Sequence, residues 1–159
     1  MQERNLTIYF TSDLHSYIYP TDYRGQEEKD LGLFKCASQF QKDGNTLVID
    51  GGDLLQGSPL GAFCHDTVGS AAQFAQIMNR CGYDYVTLGN HDFNYGMPYL
   101  DSYLDALRAR CVCENVRWAG GGVRFPARVH VLENGLRIGI VGIVTDLSLI
   151  HISEPTRPY

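Results

Sequence analysis

The sequence predicts an α/β fold built on a largely parallel sheet. Short apolar runs, "LTIYFTSD", "TLVIDGGD" and "YDYVTLGN", each end in a polar cluster. Segments with apolar residues at helical spacing separate them. Strands alternating with helices imply right-handed crossovers and strand ends gathered on one edge. The 159 residues suffice for one domain of ordinary size, and 44% hydrophobic with 19% charged content is a globular composition.

In order along the chain, Leu6 to Thr11 reads as the first strand, a β-rich run ending in polar residues. A polar loop with Pro20, Gly25 and the charged run "EEKD" follows. "LGLFKCASQFQKDGN" reads as a helix, with Leu33, Phe34, Ala37 and Phe40 at helical spacing and Gly44 stopping it. "TLVIDGGD" is a buried strand with turn glycines behind it, and "LLQGSPLGAFCHD" is a loop. "TVGSAAQFAQIMNRCG" is the second helix, with Thr67 as its N-cap and Gly82 past its end. "YDYVTLG" is the third strand, and "MPYLDSYLDALRAR" the third helix, where Pro98 is tolerated in the first turn. "CVCENV" is a fourth strand, and "ARVHVLENGLRIGIVGIV" a hairpin turning at Asn134-Gly135.

The net charge of -5 excludes a large phosphate-backbone footprint, so no nucleic-acid polymer is expected as partner. An acidic chain still handles phosphate when metal ions supply the positive charge. Five cysteines, an odd number in a chain of this size, read as core thiols rather than a disulfide scaffold. Cys111 and Cys113 would share one face of the fourth strand. "MQERNLTIYF" holds no long apolar stretch, so neither a leader nor a membrane span is expected, and the chain as written is expected in the cytoplasm.

Polar clusters follow the first three strands: Asp13 and His15 in "SDLH", Asp53 in "DGGD", and Asn90, His91 and Asp92 in "GNHD". A parallel sheet presents these strand ends on one edge, where residues distant in sequence converge. Asp-x-His past a strand end offers one oxygen and one nitrogen ligand. A carboxylate behind two glycines can bridge two cations, and Asn90 adds a neutral amide oxygen. Each piece alone reads as a turn or a cap. The ordered set suggests a two-metal hydrolase site, with ions about 3.5–4 Å apart clamping a phosphoryl group. His91 is then free to face the substrate as an acid or a stabiliser of developing charge.

The motifs "TSDLH", "VIDGGDLLQGSPL", "YDYVTLGNHDFNYG" and "LRIGIVGIVTD" resemble the calcineurin-like metallophosphoesterases over about Leu6 to Asp146. Within that family they are most similar to the 5′-nucleotidase and 2′,3′-cyclic-nucleotide 2′-phosphodiesterase branch. The resemblance implies the N-terminal half of a four-layer α-β-β-α sandwich, mostly parallel and truncated here. It implies hydrolysis of nucleotide or other small phosphoesters, with a metal-bound hydroxide as nucleophile and His91 as acid. Two divalent ions are implied, from among manganese, zinc, iron and calcium. Asp13 and His15 match ligands of the first ion, Asp53 the bridging carboxylate, and Asn90 a ligand of the second. Many 5′-nucleotidases carry an aspartate three residues after the catalytic histidine to orient it; Asn94 stands there, and Asp92 is the nearer carboxylate in sequence.

The family's later Gly-His and Gly-His-x-His motifs do not occur in this sequence. His65 sits in a polar loop and is expected at the solvent, and His130, between Val129 and Val131, is expected to face away from the apolar layer. Tyr17, Tyr19 and Tyr23 cluster in the first loop, where packing or a solvated loop is expected ahead of a substrate-lining role. "LSLIHISEPTR", 147–157, resembles a translated sequencing adapter, so residues 1–146 are expected to be a partial metallophosphoesterase domain and 147–159, His151 included, a non-native tail. Full-length relatives of this branch are often exported. The alternative is a catalytically incompetent fragment with an incomplete metal site. A dinucleotide-binding oxidoreductase is disfavoured, because "SDLHS" stands where fingerprint glycines belong.

Overall fold

A computed structural model describes residues 3–25 and 27–145. Four strands, β1 (Thr7–Thr11), β2 (Thr46–Asp50), β3 (Tyr85–Val86) and β4 (Arg110–Cys111), form one sheet in the order β1-β2-β3-β4. Every pairing in it is parallel. The β1–β2 register runs from Thr7 opposite Thr46 to Thr11 opposite Asp50, so both strands end at the same level. This is the mixed α/β architecture the alternating pattern predicts.

Helices α1 (Leu33–Ala37), α2 (Pro59–Phe63), α3 (Ala72–Cys81) and α4 (Met97–Ala106) occupy the connections. α3 buries Phe74, Ala75 and Met78, and α4 buries Tyr99, Leu100 and Tyr103, against Val48, Val86 and Leu88 of the sheet layer. Burial of one such large side chain contributes about 1.5–3 kcal/mol. An antiparallel hairpin, β7 (Arg128–Val131) and β8 (Arg137–Ile140), covers the opposite face. Its Leu132 and Ile140 pack on Leu47, Tyr85 and Val112. Covered on both faces, β2 needs its near-continuous apolar run. β1 lies at the edge: Tyr9 packs on Phe40, whereas Ile8 and Phe10 are 49% and 64% exposed.

Several elements differ from the sequence expectation. The first helix stops at Ala37, where Ser38 Oγ donates to Lys35 O and the chain passes into irregular turns. The loop after β2 contains α2, capped by Ser58, whose Oγ accepts the Gly61 N–H, with Pro59 in its first turn. Thr67 caps nothing; it lies in a π-type turn, Cys64–Val68, that ends at Gly69. The first donors of α3 go instead to Ser102 Oγ, from Ala71, and to Ser70 Oγ, from Ala72. The fourth strand divides at Val112. Cys111 continues the parallel sheet, but β5 (Cys113–Arg117) pairs antiparallel with β6 (Val123–Phe125), which the glycine run before Val123 conceals in the sequence.

Both remaining histidine expectations within the described residues are corrected. His65 is half-buried, stacked on Tyr95 at 3.9 Å between ring centroids. In β7 it is the valines that face outward, 58% and 55% exposed. His130 pairs across the hairpin with Ile138 and turns inward, its Nδ1 3.1 Å from Tyr85 Oη, because Leu132 and Ile140 fix that face toward the sheet. All five cysteines are free thiols; Cys64 and Cys113 are buried and Cys36 is exposed. Burial pushes the Cys111 and Cys113 thiols up, which suits packing rather than ligation. Among the described residues no helix is long and apolar enough to cross a membrane. Residues 147–159, with His151, lie outside the described residues.

Candidate metal centre

The polar clusters after β1, β2 and β3 are stitched together by main-chain bonds. Asp13 N–H donates to Gly52 O at 2.9 Å, and His15 N–H to Asp53 O at 2.8 Å. These bonds hold the first loop on the second. Asp13, His15, Ser16 and Asp53 all take left-handed backbone, with φ of 55°, 46°, 62° and 57°. That conformation is uncommon for residues with a Cβ, and its concentration here marks a functional geometry.

One ligand atom each of Asp13, His15 and Asp53 lies within 4.8 Å of the others. His15 Nδ1–H donates to Gln56 O at 2.8 Å, which leaves Nε2 as the free lone pair. That Nε2 lies 3.9 Å from Asp13 Oδ1. Two donors each about 2.0–2.2 Å from one ion sit about 3–4 Å apart, so this spacing suits a shared cation. Ser12 Oγ donates to Asp13 Oδ2, away from that gap.

The third loop reaches the second through its backbone. A 3-10 turn, Asn90–Phe93, follows β3, and His91 N–H donates to Asp53 Oδ1 at 2.7 Å. This places half-buried Asn90 beside the Asp53 carboxylate in the chain path. The His91 ring stands edge-on to His15, 5.3 Å between centroids. Asn94 Nδ2 and His91 Nδ1 are 3.0 Å apart, so the position expected to orient the imidazole does touch it.

Asp92 plays a different part. It is 3% exposed and accepts four main-chain N–H groups: Asp53 and Gly89 on Oδ2, Leu54 and Leu55 on Oδ1, all at 2.8–2.9 Å. Its oxygens are used up by these donors, and none of its hydrogen bonds is to the His91 ring. Burial pushes its carboxyl up, and the N–H donors pull it back. Asp92 therefore clamps the third loop onto the second.

Glycine at two positions lets these loops meet. A Cβ on Gly52, whose φ is 92°, would lie 2.3 Å from Gly89 N. One on Gly89 would lie 2.1 Å from Asp53 Oδ1. Neither neighbour can retreat without moving the Asp53 carboxylate or the turn that begins at Asn90.

Two further residues belong to the site's frame. Gln56 contacts both histidines, and nothing in an isolated loop amide signals that. Asp50, 1% exposed at the end of β2, accepts from Thr11 Oγ1 at 2.5 Å and from Gly52 N–H at 3.0 Å. Burial, with Asp92 and Asp13 nearby, pushes its carboxyl to about 7. Its place in "VIDGGD", the last residue of a buried strand, is the signal that could have found it.

A family model described as calcineurin-like phosphoesterase matches residues 6–154. The chain belongs to this family. It is 34% identical to the trifunctional nucleotide phosphoesterase protein YfkN of Bacillus subtilis, over 88% of this chain and 11% of that protein. It is 32% identical to the 2′,3′-cyclic-nucleotide 2′-phosphodiesterase/3′-nucleotidase of Haemophilus influenzae, over 88% of this chain and 24% of that one. The crystal structure of Bacillus subtilis YfkN superposes with a TM-score of 0.73 at 30% identity, covering 91% of this chain and 50% of that structure. The chain thus spans a quarter or less of the length of these two curated relatives.

Proposed function

We propose that this calcineurin-like phosphoesterase chain carries the ligand cradle and the acid of a nucleotide-directed hydrolase, a 5′-nucleotidase or a 2′,3′-cyclic-nucleotide phosphodiesterase. The observation behind this reading is the meeting of Asp13, His15 and Asp53 at one sheet edge, with the His91 ring against His15. Relatives named for both activities support the substrate class. Two carboxylates, an imidazole and an amide are a donor set that fits divalent manganese, zinc, iron or calcium. Asp13 and His15 would hold one ion, Asn90 a second, and Asp53 both. Bound, such ions activate water and neutralise phosphoryl charge.

The remaining work falls to the chain's own groups. His91, held at Nδ1, presents Nε2 to the substrate; as the imidazolium it protonates the departing oxygen or bonds to charge that builds on the phosphoryl group. The main-chain N–H of the same residue fixes Asp53, so acid and ligand are positioned by one backbone unit. The neutral Gln56 oxygen at Nδ1, itself held by Asn94, orients the ring without adding a negative charge beside it.

Calorimetric titration with manganese(II) and zinc(II), alongside hydrolysis of bis(p-nitrophenyl) phosphate, tests the proposal. Saturable binding that is lost in His15→Ala, with metal-dependent turnover, is the expected result. Absence of binding defeats it. Only three His, Cys, Asp or Glu ligands converge among the described residues, fewer than two closed sites use, and this favours a second reading. In that reading the chain alone binds metal without turning over, and the same pair of measurements separates the two.

A further inference from the structure

We infer that Gln56 is the positioning residue for both histidines of the site, acting on His15 through its main chain and on His91 through its side chain. The inference rests on the metal-site reading above and assigns a role to a residue outside the ligand set.

The geometry is asymmetric in a useful way. The Gln56 carbonyl accepts the His15 Nδ1 proton at 2.8 Å. A carbonyl can only accept, so this bond fixes one tautomer of His15 and turns Nε2 toward Asp13. The Gln56 side-chain Oε1 lies 3.2 Å from His91 Nδ1 and accepts the Asn94 Nδ2 proton at 2.5 Å. An amide oxygen has two lone pairs, so both donors converge on it; Asn94 Nδ2, 3.0 Å from His91 Nδ1, is itself a donor turned to that oxygen and touches the ring nitrogen without bonding to it. Two rings 5.3 Å apart are thereby held by two oxygens of one residue.

Gln56 is itself held on both sides. Leu54 and Leu55 donate their N–H groups to Asp92, and Ser58 donates its N–H to His15 O at 2.7 Å. The residue cannot shift along the chain without breaking the clamp or releasing His15. Rigid backing of this kind is what fixes ligand tautomer and ring direction in metal sites. The spacing between ligand and acid is then set by the dimensions of a single glutamine.

Because the two contacts use different parts of the residue, substitution separates them. Gln56→Met keeps the carbonyl and the side-chain length but removes the acceptor. Long-range proton–nitrogen NMR spectra of the imidazoles, recorded on the metal-free 159-residue chain at pH 8, read the tautomers directly. In the unaltered chain both rings are expected as the Nδ1–H form. In Gln56→Met, His91 alone is expected to become a mixture, and in Gln56→Glu, which restores an acceptor oxygen, the single form returns. Manganese(II) affinity in Gln56→Met is expected within about twofold of the unaltered chain. Where turnover is measurable, kcat falls about 10–100-fold with KM within about twofold.

An unchanged His91 tautomer in Gln56→Met overturns the inference, and so does equal loosening of both rings. These spectra need neither metal nor turnover. Failure of manganese(II) to perturb His15 in the unaltered chain would count against the metal-site reading alone.

Discussion

The main-chain N–H of His91 donates to Asp53 Oδ1 over 2.7 Å, which ties the loop after β3 to the carboxylate that follows β2. The proposed ligand and the proposed acid are therefore not independent parts. Whatever displaces Asp53 displaces His91 as well.

Asp53→Ala removes a ligand and the acceptor for His91 N–H together. Manganese(II) affinity is expected to fall at least about 100-fold, with Asp53→Asn intermediate because it keeps an acceptor oxygen without the charge. Calorimetry gives the affinities, and far-UV circular dichroism checks that the fold survives. Equal affinities for Asp53→Ala and the unaltered chain would remove Asp53 from the ligand set.

Asp92→Ala orphans four N–H groups at a buried position. Each unsatisfied buried donor costs about 1–3 kcal/mol, so a loss of at least about 4 kcal/mol is expected in urea denaturation. Asp92→Asn retains one acceptor and is expected to lose less. Were Asp92→Ala to keep its stability and lose only turnover, the clamp assignment would be wrong.

Asp50 supplies a pH signature. Its folded carboxyl, pushed up to about 7, lies above the unfolded value of 3.8, so the folded state holds the proton more tightly. The associated stabilisation is complete below about pH 4 and is lost as pH rises toward about 7. The slope is about 1.4 kcal/mol per pH unit, or on the order of 4 kcal/mol across the window. Asp50→Asn lacks this titration. Urea midpoints measured with a chelator present are expected to show the variant gaining on the unaltered chain between pH 4 and 7.5. Parallel pH curves would refute the assignment.

Gly89→Ala is expected to abolish metal binding while leaving a folded chain, since the new methyl meets Asp53 Oδ1 before it meets the core. Gly52→Ala adds backbone strain to a clash with Gly89 N, so it is expected to lower stability as well, by about 1–3 kcal/mol. Titration and thermal melting of the two variants separate the effects.

Much of this arrangement is legible in the residues. β1, β2, α4 and the β7–β8 hairpin lie where periodicity puts them, because each carries enough apolar positions to define a face. α2 escapes notice because five residues are too few for a 3.6-residue period, leaving only Ser58-Pro59 as a start signal. β6 is hidden because its pairing with β5 bridges a glycine run that reads as loop. His130 faces inward against the pattern of its neighbours, because Leu132 and Ile140 impose that direction while the adjacent valines alone suggest the opposite face. At the site, Asp13, His15 and Asp53 are legible as candidate ligands only as an ordered set at successive strand ends, since each piece alone reads as a turn or a cap. Gln56 and the clamp of Asp92 are not legible, since an amide or carboxylate receives its role from donors and acceptors that only folding delivers.

The Asp92 clamp also bears on how the proposed pocket would take up cations. Its four N–H bonds close the loops with protein atoms alone, so the ordering entropy of the cradle is incurred when the chain folds rather than when an ion arrives. On the proposed reading, a socket prefabricated in this way is expected to be stripped and reloaded without refolding, with ions of similar radius exchanging within one standing frame.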